Sequence, residues 1–287
     1  MKVVDIHIHV FPDDVADAYM KDYSNHSNLQ VCCRPTLDAL FKAYDGVEVR
    51  NYVILQEWQS SAPFASQNLK YIGQCDRYYT RYYFYSFNRW LGKVQAENDK
   101  VLCFGGVHPD EADREDEFER MVNDYGLKGM KLVPCMQQFF LNDRRLFPIY
   151  ERAEACGLPV LVHTGGDPIQ GMELYGHPRD VDEIASAFPN LTIIIAHVGI
   201  PFFDEAKELL SRHENVFTDI SFTVEVIDAK TLSSLVQEVG LERVMFGSDF
   251  PFVEPKCAIR KVLELHIPDS GKEKILWRNA VDVLKLT

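Results

Sequence analysis

Two histidines one residue apart, His7 and His9, close a short apolar run near the start of the chain, Val3-Val4-Asp5-Ile6-His7-Ile8-His9. On a strand, residues two apart point to the same side. Both imidazoles can therefore aim at one point, as two ligands of a divalent metal do. Three later apolar runs end in residues of the same chemistry. Pro159-Val160-Leu161-Val162 ends in His163, Thr192-Ile193-Ile194-Ile195-Ala196 ends in His197, and Val244-Met245-Phe246-Gly247-Ser248 ends in Asp249. A divalent ion accepts imidazole nitrogen and carboxylate oxygen, and a catalytic site keeps one position open for water or substrate. The ion lowers the pKa of bound water towards ~7 and polarises a substrate oxygen. A carboxylate beside it can move a proton, and a further histidine can steady a developing negative charge.

For these residues to meet, the runs that end in them must lie side by side. Eight apolar runs are legible, at 3–8, 49–55, 101–107, 129–133, 159–162, 192–196, 216–219 and 244–246. They are rich in Val, Ile and Leu and mostly do not alternate, as expected of parallel strands covered on both faces. Amphipathic segments lie between them, among them 143–156, 181–188, 203–213 and 229–239. Gly157 stops one such helix and Pro159 opens the next strand. Eight strand–helix units in 287 residues predict a single-domain TIM (β/α)8 barrel spanning 1–287. A doubly wound open sheet is the competing architecture. It calls for a glycine-rich loop after the first strand, where this chain has His-Val-Phe-Pro-Asp-Asp. Two connections are long, 10–35 after strand one and 57–87 after strand two. The second holds Tyr71, Tyr78, Tyr79, Tyr82, Tyr83, Phe84, Tyr85 and Phe87. Loops of this kind lie over the C-terminal face of a barrel. A helix packed on a neighbouring helix or subunit is the plainer reading of the aromatic cluster; a substrate lid is the other.

The net charge of -13 and the lack of a Lys/Arg cluster argue against nucleic acid and anionic membranes as partners. No uncharged run approaches the roughly 20 residues that span a bilayer. Seven cysteines, with no C-x-x-C pair, fit free thiols in a reducing cytoplasm. The opening run carries Asp5 and two histidines, unlike a secretory leader. A small-molecule substrate is the expected partner.

Across nearly its whole length the chain resembles the metal-dependent amidohydrolase superfamily, in the branch that includes aminocarboxymuconate-semialdehyde decarboxylase. The marks are Asp5-Ile6-His7-Ile8-His9, Gly105-Gly106-Val107-His108-Pro109, Gly126-Leu127-Lys128-Gly129-Met130-Lys131-Leu132, the run ending in His163, Phe188-Pro189-Asn190-Leu191 leading to Ala196-His197-Val198-Gly199, and Phe246-Gly247-Ser248-Asp249-Phe250-Pro251. The resemblance implies that His7, His9, His163 and Asp249 bind one divalent metal, zinc in the first place and manganese in the second, with His197 just behind. Lys131 falls on the fourth strand, where binuclear relatives carry a carboxylated lysine bridging two metals. One metal is the favoured arrangement, because the branch that the chain resembles is typically mononuclear and because a strand alternates its faces, so that Lys131 can equally point outward. A lysine near the mouth can also bind a substrate carboxylate.

The leading functional expectation is a metal-dependent hydrolase of an amide, ester or lactone, with Asp249 as proton carrier and His197 as oxyanion stabiliser. The alternative is a non-oxidative decarboxylase of a carboxylated aromatic or muconate-like acid, which uses the same ligands. A catalytically silent binding protein is a third reading, disfavoured because every expected ligand is present. His108 and His177 are further pocket candidates, although His177 can equally cap a helix. Arg34, Arg77, Arg81 and Arg89 compete as partners for a substrate carboxylate. His26, His213 and His266 read as ordinary hydrogen-bonded histidines. The tyrosine-rich segment and the resemblance lean towards a homodimer.

Overall fold

Val, Ile and Leu fill the strands because each strand is covered twice, by helices outside and by its opposite strands inside. The computed structural model describes residues 2–13, 15–17, 31–57, 81–165 and 175–286. Its strands are β1 (Lys2–Ile8), β2 (Glu48–Leu55), β3 (Val101–Gly105), β4 (Gly129–Leu132), β5 (Val160–Val162), β6 (Ile193–Ile195), β7 (Val216–Asp219) and β8 (Val244–Met245). They form one parallel sheet in sequence order. The main helices alternate with them: α1 (Leu37–Ala43), α2 (Arg81–Glu97), α3 (Arg114–Asn123), α4 (Phe147–Cys156), α5 (Pro178–Ala187), α6 (Phe203–Arg212), α7 (Ala229–Val239) and α8 (Pro255–Glu264). This is the predicted (β/α)8 architecture.

Local chemistry sets the helix ends. Asp228 caps α7 by accepting the Lys230 and Thr231 amides at 3.0 Å each. Gly157, at φ 65°, takes the left-handed turn that ends α4. Pro255 occupies the first turn of α8, where no amide is needed.

The strand residues divide between two apolar layers. Val160, Val162, Ile193 and Ile195 join a large cluster with helix residues such as Leu91, Leu209 and Val262. Leu161 and Ile194 join Val4, Val53, Phe104 and Met245 in a smaller cluster drawn from strands around the ring. The first layer lies between strands and helices; the second lies inside the barrel. Lys131 pairs in register with Leu161 and so shares the inner face. Of its two open orientations, it takes the inward one.

Strand three is shorter than the apolar run 101–107 suggested. Asn88 on α2 receives the Gly106 amide on Oδ1 at 2.9 Å and donates Nδ2 to the Gly106 carbonyl at 2.8 Å. These bonds take the groups that a longer strand would give to its neighbours. Residues 18–30 and 58–80 lie outside the described residues, and with them Tyr71, Tyr78, Tyr79, Arg77 and His26. The described end of the tyrosine-rich segment is helix α2, where Phe87 is buried and stacks on Phe11 and Trp90 with centroids 5.7 and 5.2 Å away. There the aromatics pack against the barrel. No helix among the described residues is long and apolar enough to cross a membrane.

The ring closes between β1 and the segment following β8. The Ile6 amide donates to the Phe246 carbonyl at 3.0 Å, the Asp249 amide to His7 at 2.9 Å, and the His9 amide to Phe250 at 2.7 Å. Asp5 reinforces the seam, with Oδ1 accepting the amides of both His7 and Ser248 at 3.0 Å. Glycine is required here: a Cβ on Gly247 would stand 2.6 Å from the His7 Cβ and 2.9 Å from the Ser221 Cβ. Gly247→Ala is therefore expected to push β1 and β7 away from the seam and to lower unfolding free energy by about 1–3 kcal/mol. Urea denaturation measures this, and an unchanged midpoint contradicts the close approach.

Candidate metal centre

β1 turns His7 and His9 to the same side, as their spacing predicts, with ring centroids 5.0 Å apart. The seam then delivers the carboxylate. Asp249 follows β8 in the left-handed region at φ 64°, a conformation that Asp adopts more readily than bulkier residues. Its Oδ1 lies 3.5 Å from His7 Nε2 and 3.4 Å from His9 Nε2. His7, His9 and Asp249 form a buried group whose ligand atoms lie within 4.8 Å of one another.

The other nitrogen of each histidine faces a carboxylate. His7 Nδ1 is 2.9 Å from Asp219 Oδ2, and His9 Nδ1 is 3.1 Å from Glu57 Oε2. A neutral His7 that donates from Nδ1 presents a bare Nε2 to the cavity. Two imidazole nitrogens and a carboxylate oxygen then converge, a donor set suited to zinc or manganese. Lys131 stands at the same place, buried, with Nζ 3.2 Å from His7 Nε2. The site thus fits a cation, and in the metal-free protein an ammonium lies beside it.

His163 and His197 complete the histidine cluster. His197 Nε2 is 3.3 Å from His163 Nδ1, and the His197 ring lies 4.9 Å from that of His7, centroid to centroid. His163 is half-buried at the end of β5, joined to the group through His197. The His197 backbone is left-handed (φ 60°, ψ 24°), as is Val198, at a cost of about 1–2 kcal/mol for each such residue. Two bonds hold it there. The His197 amide donates to Asp219 Oδ1 at 3.0 Å, and Thr223 Oγ1 donates to the His197 carbonyl at 2.7 Å.

Burial governs the protonation of the site. It pushes the imidazole of His7 well below its ordinary value and that of His9 down to about 4. It raises Asp249 and Asp5 to about 6 and lowers Lys131 to about 8. Asp219 is the exception: burial opposes its charge, but His7, His197 and Ser221 hold it well below the usual carboxylate range.

The remaining candidates lie elsewhere. His108 spends Nε2 on the Gln137 carbonyl at 2.8 Å and Nδ1 on the Asp110 amide at 3.1 Å, knitting two loops together. His177 caps α5 by accepting the Arg179 amide at 3.1 Å. His213 pairs with Asp182 at 2.7 Å, and His266 is exposed. Arg34 is committed to Asp13 and Asp17 on the surface, and Arg89 is exposed. Arg81 opens α2, and its side chain lies outside the described residues. Asp219 and Glu57 were not anticipated from sequence as site residues. Asp219 ends strand seven just as Asp249 follows strand eight, and that position was the available signal. Glu57 lies two residues past strand two and reads as the start of a loop.

A parallel eight-stranded barrel with a His-x-His pair and an aspartate at its closing seam defines a class of metal-dependent barrel enzymes. The chain belongs to the amidohydrolase family (Amidohydro_2), which it matches over residues 4–286. It is similar to the 2-amino-3-carboxymuconate-6-semialdehyde decarboxylase of Dictyostelium discoideum, at 26% identity over 242 residues. That match covers 69% of this chain and 65% of the relative, just under two thirds of the relative's length. Among solved structures, an uncharacterised TIM-barrel protein of Bordetella bronchiseptica aligns with TM-score 0.76 and 18% identity over 99% of both chains. A dihydroxybenzoic acid decarboxylase of Polaromonas, solved with manganese and the inhibitor 2-nitroresorcinol, aligns with TM-score 0.71 and 16% identity over 99% of this chain and 97% of that one.

The buried histidines make a pH prediction for the metal-free protein. A neutral His9, with its pKa near 4 in the fold and about 6.5 unfolded, stabilises fully above about pH 6.5. That contribution, about 3 kcal/mol, is lost as pH falls towards 4. Asp5 and Asp249 act in the opposite sense, because a raised carboxyl pKa adds stability as pH falls through about 6. The His9 effect is therefore isolated as a difference. The stability of wild type minus that of His9→Gln, from urea melts without metal, is expected to shrink steadily between pH 7 and pH 4.5. A difference independent of pH contradicts a neutral buried His9.

Proposed function

We propose that this protein is a metal-dependent non-oxidative decarboxylase of a small carboxylated aromatic or muconate-like acid. The observation that carries this reading is the union of the His7–His9–Asp249 group with relatives named as decarboxylases, in sequence and in fold. It reverses the order of the two enzyme readings that the ligand pattern left open. The hydrolase reading uses the same residues but has no support from those relatives' names. A silent binding protein would have no need of a buried, converging donor set.

In this reading His7, His9, His163 and Asp249 hold one divalent ion, manganese or zinc. When bound, the ion supplies Lewis-acid polarisation of a substrate oxygen beside the carboxylate that leaves. The protein's own groups do the rest. Asp249, through the carboxylate oxygen that would not be given to the ion, carries a proton between the entering substrate and the carbon that loses CO2. His197 presents a bare Nε2 from a fixed backbone; it accepts the hydrogen of a substrate hydroxyl and then shares it with the oxygen on which charge grows. Burial of the site keeps water from competing for the carbanion-like carbon. Lys131 is the buried ammonium among the described residues, and it balances Asp249 and Asp219 on the inner face. A carboxylated Lys131 bridging a second ion is the less favoured arrangement.

The test is an assay of manganese- or zinc-loaded enzyme on two panels, with CO2 release as the readout for the acids. We expect an aromatic or muconate-like acid to release CO2 and no ester, amide or lactone to turn over. Turnover confined to the second panel restores the hydrolase and removes this proposal. In the same assay Asp249→Asn is expected to reduce turnover by at least about 100-fold while the protein stays folded. Near-normal turnover takes Asp249 out of the mechanism.

A further inference from the structure

Asp219 makes more contacts with the histidine cluster than any role given it so far requires. Its side chain is fully buried, so it is out of reach of substrate. Oδ2 lies 2.9 Å from His7 Nδ1. Oδ1 accepts the backbone amides of His197 and Ser221 at 3.0 Å each, and also the Ser221 hydroxyl. The Ser221 oxygen in turn stands 2.9 Å from both His7 Nδ1 and His197 Nδ1. The Ser221 carbonyl lies 2.9 Å from His197 Nδ1.

Counting donors and acceptors fixes the protons. An ionised carboxylate only accepts, so Asp219 requires a hydrogen on His7 Nδ1. A carbonyl only accepts, so Ser221 requires a hydrogen on His197 Nδ1. The Ser221 hydroxyl has given its hydrogen to Asp219 and is itself an acceptor towards both rings. Each neutral imidazole then has a bare Nε2. That of His7 faces Asp249, and that of His197 faces His163 Nδ1, which must donate across the 3.3 Å contact. His7, His197 and Asp219 have the spacing of a second cation group. The same count excludes an ion there, since the facing atoms are already joined by hydrogens.

We infer that Asp219 is the positioning residue of the centre, the group that sets which nitrogen of His7 and His197 faces the cavity and holds the His197 backbone in its left-handed turn. The inference rests on the metal-dependent reading for its affinity arm, and on the hydrogen-bond pattern alone for its proton arm. Replacement by Asn tests it sharply. An amide offers one acceptor and one donor group. Its NH2 must face either the two backbone amides or His7 Nδ1. The first pits donors against donors; the second favours the His7 tautomer with a hydrogen on Nε2, where the metal belongs.

The proton arm is read on metal-free wild-type protein by long-range 1H–15N correlation spectra of the imidazoles. His7 and His197 are expected as Nδ1–H tautomers, and an Nε2–H tautomer on His7 overturns the inference. The affinity arm compares wild type, Asp219→Asn and Ser221→Ala by chelator competition with manganese and zinc, at matched urea midpoints. Asp219→Asn is expected to weaken metal binding about 10–100-fold, and Ser221→Ala to weaken it less. A folded Asp219→Asn that binds metal as tightly as wild type overturns the inference. Should Asp219→Asn fail to fold, the wild-type spectrum decides. Should wild type bind neither metal, the metal-dependent reading fails while the spectrum still judges Asp219.

Discussion

The bond from the Asp249 amide to the His7 carbonyl is the constraint on which this molecule turns. It belongs to the seam that closes the barrel, and it also places a carboxylate opposite two imidazoles. Fold and site are thus built from the same few hydrogen bonds. The seam is unusual in its chemistry, since the flanking strand residues carry apolar side chains and this stretch carries Asp5, His7, His9 and Asp249. Asp5 holds both sides of it through one oxygen, and Gly247 lets them approach. A protein that stretched this seam would lose its barrel closure and the convergence of His7, His9 and Asp249 together.

Around the seam, the site is organised by what each histidine does with its second nitrogen. His7 turns to Asp219, His9 to Glu57 and His197 to the Ser221 carbonyl. These partners come from β7, the end of β2 and the turn after β7. The centre therefore depends on the packing of β2 and β7, the strands that flank β1 and β8 in the sheet. Burial makes such partners necessary, because an imidazole out of water has no other means of fixing its tautomer. The strained backbone at His197 and Val198 is sustained in the same way, by Asp219 on one side and Thr223 on the other.

Much of this was legible in the residues. Strand-end histidines and an aspartate in eight buried runs specified a barrel and its mouth, because strand periodicity and parallel-sheet burial leave direct marks on sequence. The orientation of Lys131 was not legible, since it depends on the register between β4 and β5. Asp219 and Glu57 escaped notice because a carboxylate that sits behind a histidine has no spacing motif of its own. His108 and His177 looked alike in sequence and proved to be loop and cap residues, whose roles follow from backbone amides that only the fold brings near. The arginines competing for a substrate carboxylate were reduced rather than resolved, with Arg34 and Arg89 on the surface. The choice between water attack and CO2 release was not written in the ligands, as both chemistries use the same ones.

The most direct test of the central claim is anomalous diffraction from crystals of the protein grown with manganese. The account predicts one strong peak bounded by His7 Nε2, His9 Nε2 and Asp249 Oδ1, with His7 Nδ1 still on Asp219. No peak there, or a peak between His7 Nδ1, His197 Nδ1 and Asp219, would contradict it.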